Sequence, residues 1–125
     1  MKTVITALDA PAAIGPYSHA ITAGDFMFTS GQIALDPATG KLAGENIEEQ
    51  TEQVMKNLEA VLAANNMTFS NVIKTTVFLV DLADFPVVNG IYATRFPENP
   101  PARSCVQVVG LPAGSKIEIE LIACK

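Results

Sequence analysis

The stretch "ARSCVQVVGLPAGSKIEIELIAC", residues 102–124, decides how this chain folds. In its second half Ile117, Ile119 and Leu121 alternate with Glu118 and Glu120, the period of a β-strand with one apolar and one polar face. The first half alternates as well and sets Arg103, Cys105 and Gln107 on a common side. Between them "GLPAGS" supplies the Gly, Pro and Ser of a turn. The simplest pairing is a hairpin of strands 102–109 and 116–124. Matching apolar face to apolar face then gathers Arg103, Cys105, Glu118 and Glu120 on one side. Such a patch has two readings on spacing alone. It is a cross-strand Arg–Glu pair that neutralises itself. Or the cation grips a substrate carboxylate in two-pronged fashion while one acid stays free for proton chemistry.

The rest of the chain reads as a single domain, 1–125, of the α+β class. A strand opens it at residues 3–6, and "HAITAGDFMFTSGQI" forms a hairpin with Gly24-Asp25 at its tip. A helix begins at Asn46, with Glu49 three residues on to complete a capping box. Ile47, Val54, Met55, Leu58, Val61 and Leu62 form its apolar stripe, and Asn65-Asn66 ends it. After the strand in "NVIKTTVFLVD", a second helix has Asp84 as cap and Pro86 in its first turn. Phe85, Val88, Tyr92 and Phe96 are its stripe, with Asn89 close beside it. The order predicts a mixed sheet of about five or six strands with both helices on one face. The other face also carries apolar residues, so a second copy of the chain is expected to cover it.

Composition narrows the function. Hydrophobic residues make up 49% and charged residues 17%, and the formal charge is −5 with only 8 Lys and Arg. No basic stripe exists to neutralise phosphates, which argues against a nucleic-acid partner. The 2 cysteines, Cys105 and Cys124, are far apart and there is a single His, so neither a disulfide framework nor a metal site is expected. The segment "MKTVITALDAPAA" lacks the apolar run of a secretory signal, and nothing is long enough to span a bilayer. These features describe a cytoplasmic, cofactor-free domain.

Five blocks, "APAAIGPYSHA", "FTSGQI", "NVIKTTVFLVDLADFPVVNGIY", "PPARSCVQV" and "KIEIELIA", resemble the RidA/YjgF family of reactive-intermediate deaminases in order and over nearly the whole chain. The resemblance implies a chorismate-mutase-like fold, a homotrimer with clefts between subunits, and no cofactor or metal. It implies hydrolysis of 2-imino acids or their enamine tautomers (2-iminobutanoate, 2-iminopropanoate), released by pyridoxal-phosphate enzymes, to 2-oxo acids and ammonia. Arg103 matches the position that binds the substrate carboxylate, and Glu118 the one associated with the attacking water. Cys105, Tyr17, Ser30, Gly31 and Asn89 match other pocket positions, and Glu120 belongs to the motif as second choice for the chemistry. Each has a plainer alternative. Cys105 is a small apolar lining group rather than a nucleophile, Tyr17 an interface plug, Ser30-Gly31 an easing of backbone approach, and Asn89 a local bridge. His19 stands where many relatives have glutamine; it is expected as an exposed or interface side chain without a catalytic role. Two other functions fit the same resemblance: a non-catalytic metabolite-binding or regulatory trimer using the same pocket, and, with less support, a ribonuclease or translation inhibitor.

Overall fold

A computed structural model describes residues 1–125. Its elements are β1 (Lys2–Ile5), β2 (Ala20–Ala23), β3 (Phe26–Thr29), β4 (Gln32–Ile33), α1 (Ile47–Ala63), β5 (Val72–Leu79), α2 (Phe85–Ala93), β6 (Ala102–Gln107) and β7 (Ile117–Cys124). All strands join one sheet of order β1-β2-β3-β7-β5-β6, with β4 pairing β7 beside β3. The count is seven because the two-residue β4 adds to the six strands legible in the pattern.

The helices form where their spacing predicts. Asn46 caps α1 by accepting a 2.8 Å hydrogen bond from the Glu49 N–H. Its whole predicted stripe is buried, from Ile47 to Leu62. Asp84 makes no cap bond to α2; Asp81 instead caps the short turn Leu82–Asp84 that precedes it, accepting from the Ala83 N–H at 2.9 Å. Val88, Tyr92 and Phe96 join a core with Met27, Val77, Leu79, Ile117, Ile119 and Leu121. Both helices therefore cover one sheet face. The opposite face keeps Val4, Phe26, Phe28 and Val106 exposed.

The predicted hairpin is wrong. β6 pairs in parallel with β5 (Thr75 opposite Arg103, Val77 opposite Cys105), and β7 lies on the other side of β5, antiparallel (Val77 opposite Ile119, Phe78 opposite Glu118). The cause is burial. Ile117, Ile119, Leu121 and Ala123 are at most 3% exposed and need neighbours on both sides, so β7 takes the centre. β6, with Arg103, Ser104 and Gln107, goes to the edge, where polar side chains reach solvent. A parallel pair needs a long crossover, and the connection through α2 supplies it.

Candidate functional site

Residues paired across adjacent strands share a face. Arg103 and Cys105 thus share the helix-covered face with Thr75, Val77, Leu121 and Ile119. Glu118 and Glu120 lie with Phe78 and Thr76 on the uncovered face. The single patch expected from the sequence is divided in two, with the sheet between the halves. β6 and β7 are also two strands apart, on the order of 10 Å.

The first half is built by β6 and α2. Phe85, Asn89 and Tyr92 stand at i, i+4 and i+7 on α2, one helical face, and all three meet Arg103. The guanidinium carbon lies 4.8 Å from the Tyr92 ring centroid and 5.2 Å from that of Phe85. At such distances the ring faces attract a cation. Arg103 Nη1 donates to Asn89 Oδ1 at 2.9 Å. Tyr92 is itself fixed by a 2.7 Å hydrogen bond between its hydroxyl and that of buried Thr75. Burial pushes the Tyr92 phenol up, although the Thr75 bond and the Arg103 charge oppose the shift. A cavity of about 430 Å³ opens here, lined by Leu82, Phe85, Arg103 and Cys105. Burial also pushes the Cys105 thiol up, against the nearby Arg103 charge. That favours the thiol over the nucleophilic thiolate, in keeping with a lining role.

Arg103 has no carboxylate partner in its own chain. The one ion pair of the protein joins Arg95 Nη2, in the turn after α2, to Glu52 Oε2 of α1 at 2.9 Å. A cation held by aromatic faces and one amide oxygen retains N–H donors for an anion.

The second half lies just past the end of β3 and at the start of β7. A cavity of about 270 Å³ is lined by Tyr17, Ser30, Gly31 and Glu118, with Ile14, Ile33 and Pro112. Ser30 Oγ donates to the Ser18 carbonyl at 2.6 Å, and the Tyr17 hydroxyl accepts from the Ile14 N–H at 3.2 Å. Gly31 permits close approach, because a Cβ there would fall 2.6 Å from Glu118 Cδ. Burial raises the Glu118 carboxyl above its ordinary value, and the negative charge of Glu120 adds to the effect. No hydrogen bond within the chain engages that carboxylate. Glu120 is exposed on the same face, outside this cavity.

Of the sequence-predicted residues, then, Asn89, Arg103 and Cys105 come together, and so do Tyr17, Ser30, Gly31 and Glu118. The sequence pattern presents Phe85 and Tyr92 as core; their spacing with Asn89 is the signal for their contact with Arg103. His19, expected as an exposed or interface side chain, is not exposed. It is 7% accessible, and both ring nitrogens are engaged by backbone.

Comparison with known proteins places this geometry. Residues 7–125 match the family model described as Endoribonuclease L-PSP. The Arabidopsis thaliana protein "Reactive Intermediate Deaminase A, chloroplastic" is 53% identical over 98% of this chain and 65% of its own length. The Mus musculus "2-iminobutanoate/2-iminopropanoate deaminase" is 47% identical over 98% of this chain and 91% of its own. The crystal structure of YyfA from Yersinia pestis, of the "Conserved Rid Protein Family", has a TM-score of 0.97 at 45% identity, with both chains covered completely. The fold is thus that of a small α+β protein whose relatives include proteins named as imine deaminases. The chain belongs to the RidA/YjgF family.

Proposed function

We propose that the protein is a hydrolytic deaminase of small 2-imino acids, working in a homotrimer whose clefts join the Arg103 half of one protomer to the Glu118 half of its neighbour. The observation that carries this reading is the Arg103 guanidinium, held by Phe85, Tyr92 and Asn89 yet paired with no carboxylate. Its unused donors suit the carboxylate of an imino acid. Fixing that carboxylate leaves the adjacent C=N carbon at a defined position. Glu118, ionised, takes a proton from water as the water oxygen bonds to that carbon. That proton passes to nitrogen to give a carbinolamine. Glu118 then takes the proton of the new hydroxyl and returns it to nitrogen as the C=O forms and the C–N bond breaks, so that a 2-oxo acid and ammonia leave. The relatives named as 2-iminobutanoate/2-iminopropanoate deaminases support these two compounds as substrates. No helix is long and apolar enough to cross a membrane. A cytoplasmic location belongs to this proposal.

The test generates 2-iminobutanoate in situ with a threonine dehydratase and follows its loss. The expected result is a faster decay with the wild type and a fall of roughly 100-fold or more in kcat/KM for Arg103→Ala, the scale of a lost charge-assisted contact. Arg103→Lys should keep only part, because an ammonium cannot reproduce the planar fork. Decay unchanged by wild-type protein overturns the enzyme. Saturable binding of 2-oxobutanoate without acceleration would then establish the alternative, a metabolite-binding trimer. Cleavage of RNA is disfavoured by the charge of −5 and by a lone His whose ring nitrogens are both occupied.

A further inference from the structure

Residues 6–18 contain no helix or strand, yet they carry Ile14 and Tyr17 to the Glu118 cavity. Something other than a ladder must hold them. The ring of His19 lies against this segment at two points: Nδ1 is 2.9 Å from the Ala7 amide nitrogen and Nε2 is 2.8 Å from the Pro11 carbonyl oxygen. An amide N–H only donates and a carbonyl only accepts, so Nδ1 must be bare and Nε2 must carry the hydrogen. One neutral tautomer satisfies both bonds. An imidazolium would set two donors face to face at Ala7.

The backbone around His19 faces the other side of the site. The His19 carbonyl accepts the Ser30 N–H at 3.0 Å, and the Ser18 carbonyl accepts the Ser30 hydroxyl at 2.6 Å. His19 thus stands where the Tyr17 segment meets the Ser30-Gly31 corner. The cavity beside the ring, about 300 Å³, is lined by small and apolar groups including Val4, Leu8, Ala12 and Ala13. Tyr17 is the other titratable side chain there, and no acidic residue lines the cavity to favour a charged ring. Asp9, between the two bonded backbone groups in sequence, is exposed.

We infer that His19 is a positioning residue: its neutral ring fastens Ala7 and Pro11, in the segment that leads to Tyr17, to a backbone that holds the Ser30-Gly31 corner, and thereby sets substrate affinity without touching the reacting atoms. This rests on the reading of the Tyr17 cavity as half of the imine site. The test compares two variants. His19→Gln keeps one acceptor and one donor without a charge, whereas His19→Phe fills the space and makes neither bond. For His19→Phe, KM rises roughly tenfold while kcat stays within about twofold, the scale of one or two hydrogen bonds lost from binding geometry alone. His19→Gln recovers most of the difference. A wild-type KM for His19→Phe, or equal defects in both variants with folding intact, overturns the inference.

Should His19→Phe fail to fold, ¹⁵N NMR of the wild-type ring decides. A bare Nδ1 coupled across the hydrogen bond to the Ala7 amide, with a protonated Nε2, supports the assignment. The opposite tautomer, or a charged ring at neutral pH, overturns it. If wild-type protein turns over no imine, the deaminase reading fails by itself. The effect of the variants on 2-oxobutanoate affinity, with the ring measurement, then judges His19 separately.

Discussion

Glu118 shows how position within one strand tunes a single group. Its carboxyl is raised first by burial between Gly31 and the Tyr17 segment, and second by the charge of Glu120 two residues along the same face. Side chains at i and i+2 of a strand are separated by roughly 7 Å, close enough for like charges to interact across a partly dry surface. A general base must be ionised, so activity grows as pH rises through the Glu118 pKa. We expect the acid limb of kcat/KM to lie above the ordinary carboxylate range for the wild type. Glu120→Gln removes the like charge and moves that limb to lower pH, whereas Glu118→Gln abolishes the limb along with most of the rate. A pH profile of Glu120→Gln that superimposes on the wild type would show that the two carboxylates do not communicate. The same shift has a stability sign. Folded protein holds this proton more tightly than the unfolded chain, so the contribution is present below the ordinary carboxylate pKa and is lost as pH rises through the raised one.

At the scale of elements, α1 and the β2–β3 hairpin were legible because their signals are local: a cap and stripe over residues 46–62, and a glycine at φ 60° in the turn at Gly24. The pairing of β6 was not, since strand order depends on which strand must be buried from both sides, a property of the whole sheet. For the same reason the sequence gathered the right residues but placed them on one face. What turns α2 from a covering helix into part of the site is its anchorage to β5 through Thr75, which is 1% exposed, and Tyr92. Tyr92→Phe keeps the ring against Arg103 and removes only that bond, leaving a buried hydroxyl to find another partner. Denaturant unfolding should show a loss of about 1–2 kcal/mol, the cost of an unsatisfied buried hydroxyl. If stability is unchanged, the Thr75 hydroxyl has another acceptor and this anchorage is not what holds α2. The pair between Arg95, just past α2, and Glu52 of α1 is partly exposed and contributes much less.

For the whole molecule, the uncovered sheet face and the divided site pose one problem. Val4, Ile21, Phe28 and Ile122 stand opposite one another in a continuous apolar row across four strands, β1 to β3 and β7. Each Å² of that row removed from water is worth roughly 25 cal/mol, so a second copy is an economical cover. A second copy also offers a way round the sheet that separates Arg103 from Glu118, since one protomer's edge can face its neighbour's cavity. This arrangement makes a prediction that a self-contained site cannot meet. Arg103→Ala and Glu118→Gln proteins, each inactive alone, are unfolded together, refolded as a mixture and assayed. In a closed ring of randomly mixed subunits, about a quarter of the clefts receive an intact arginine from one protomer and an intact glutamate from the next. Activity should therefore return to about a quarter of the wild-type level, while simple mixing without subunit exchange restores nothing. Should co-refolded protein of confirmed mixed composition stay inactive, the two groups do not meet across a subunit boundary, and the proposed cleft is wrong even if the chain hydrolyses imines.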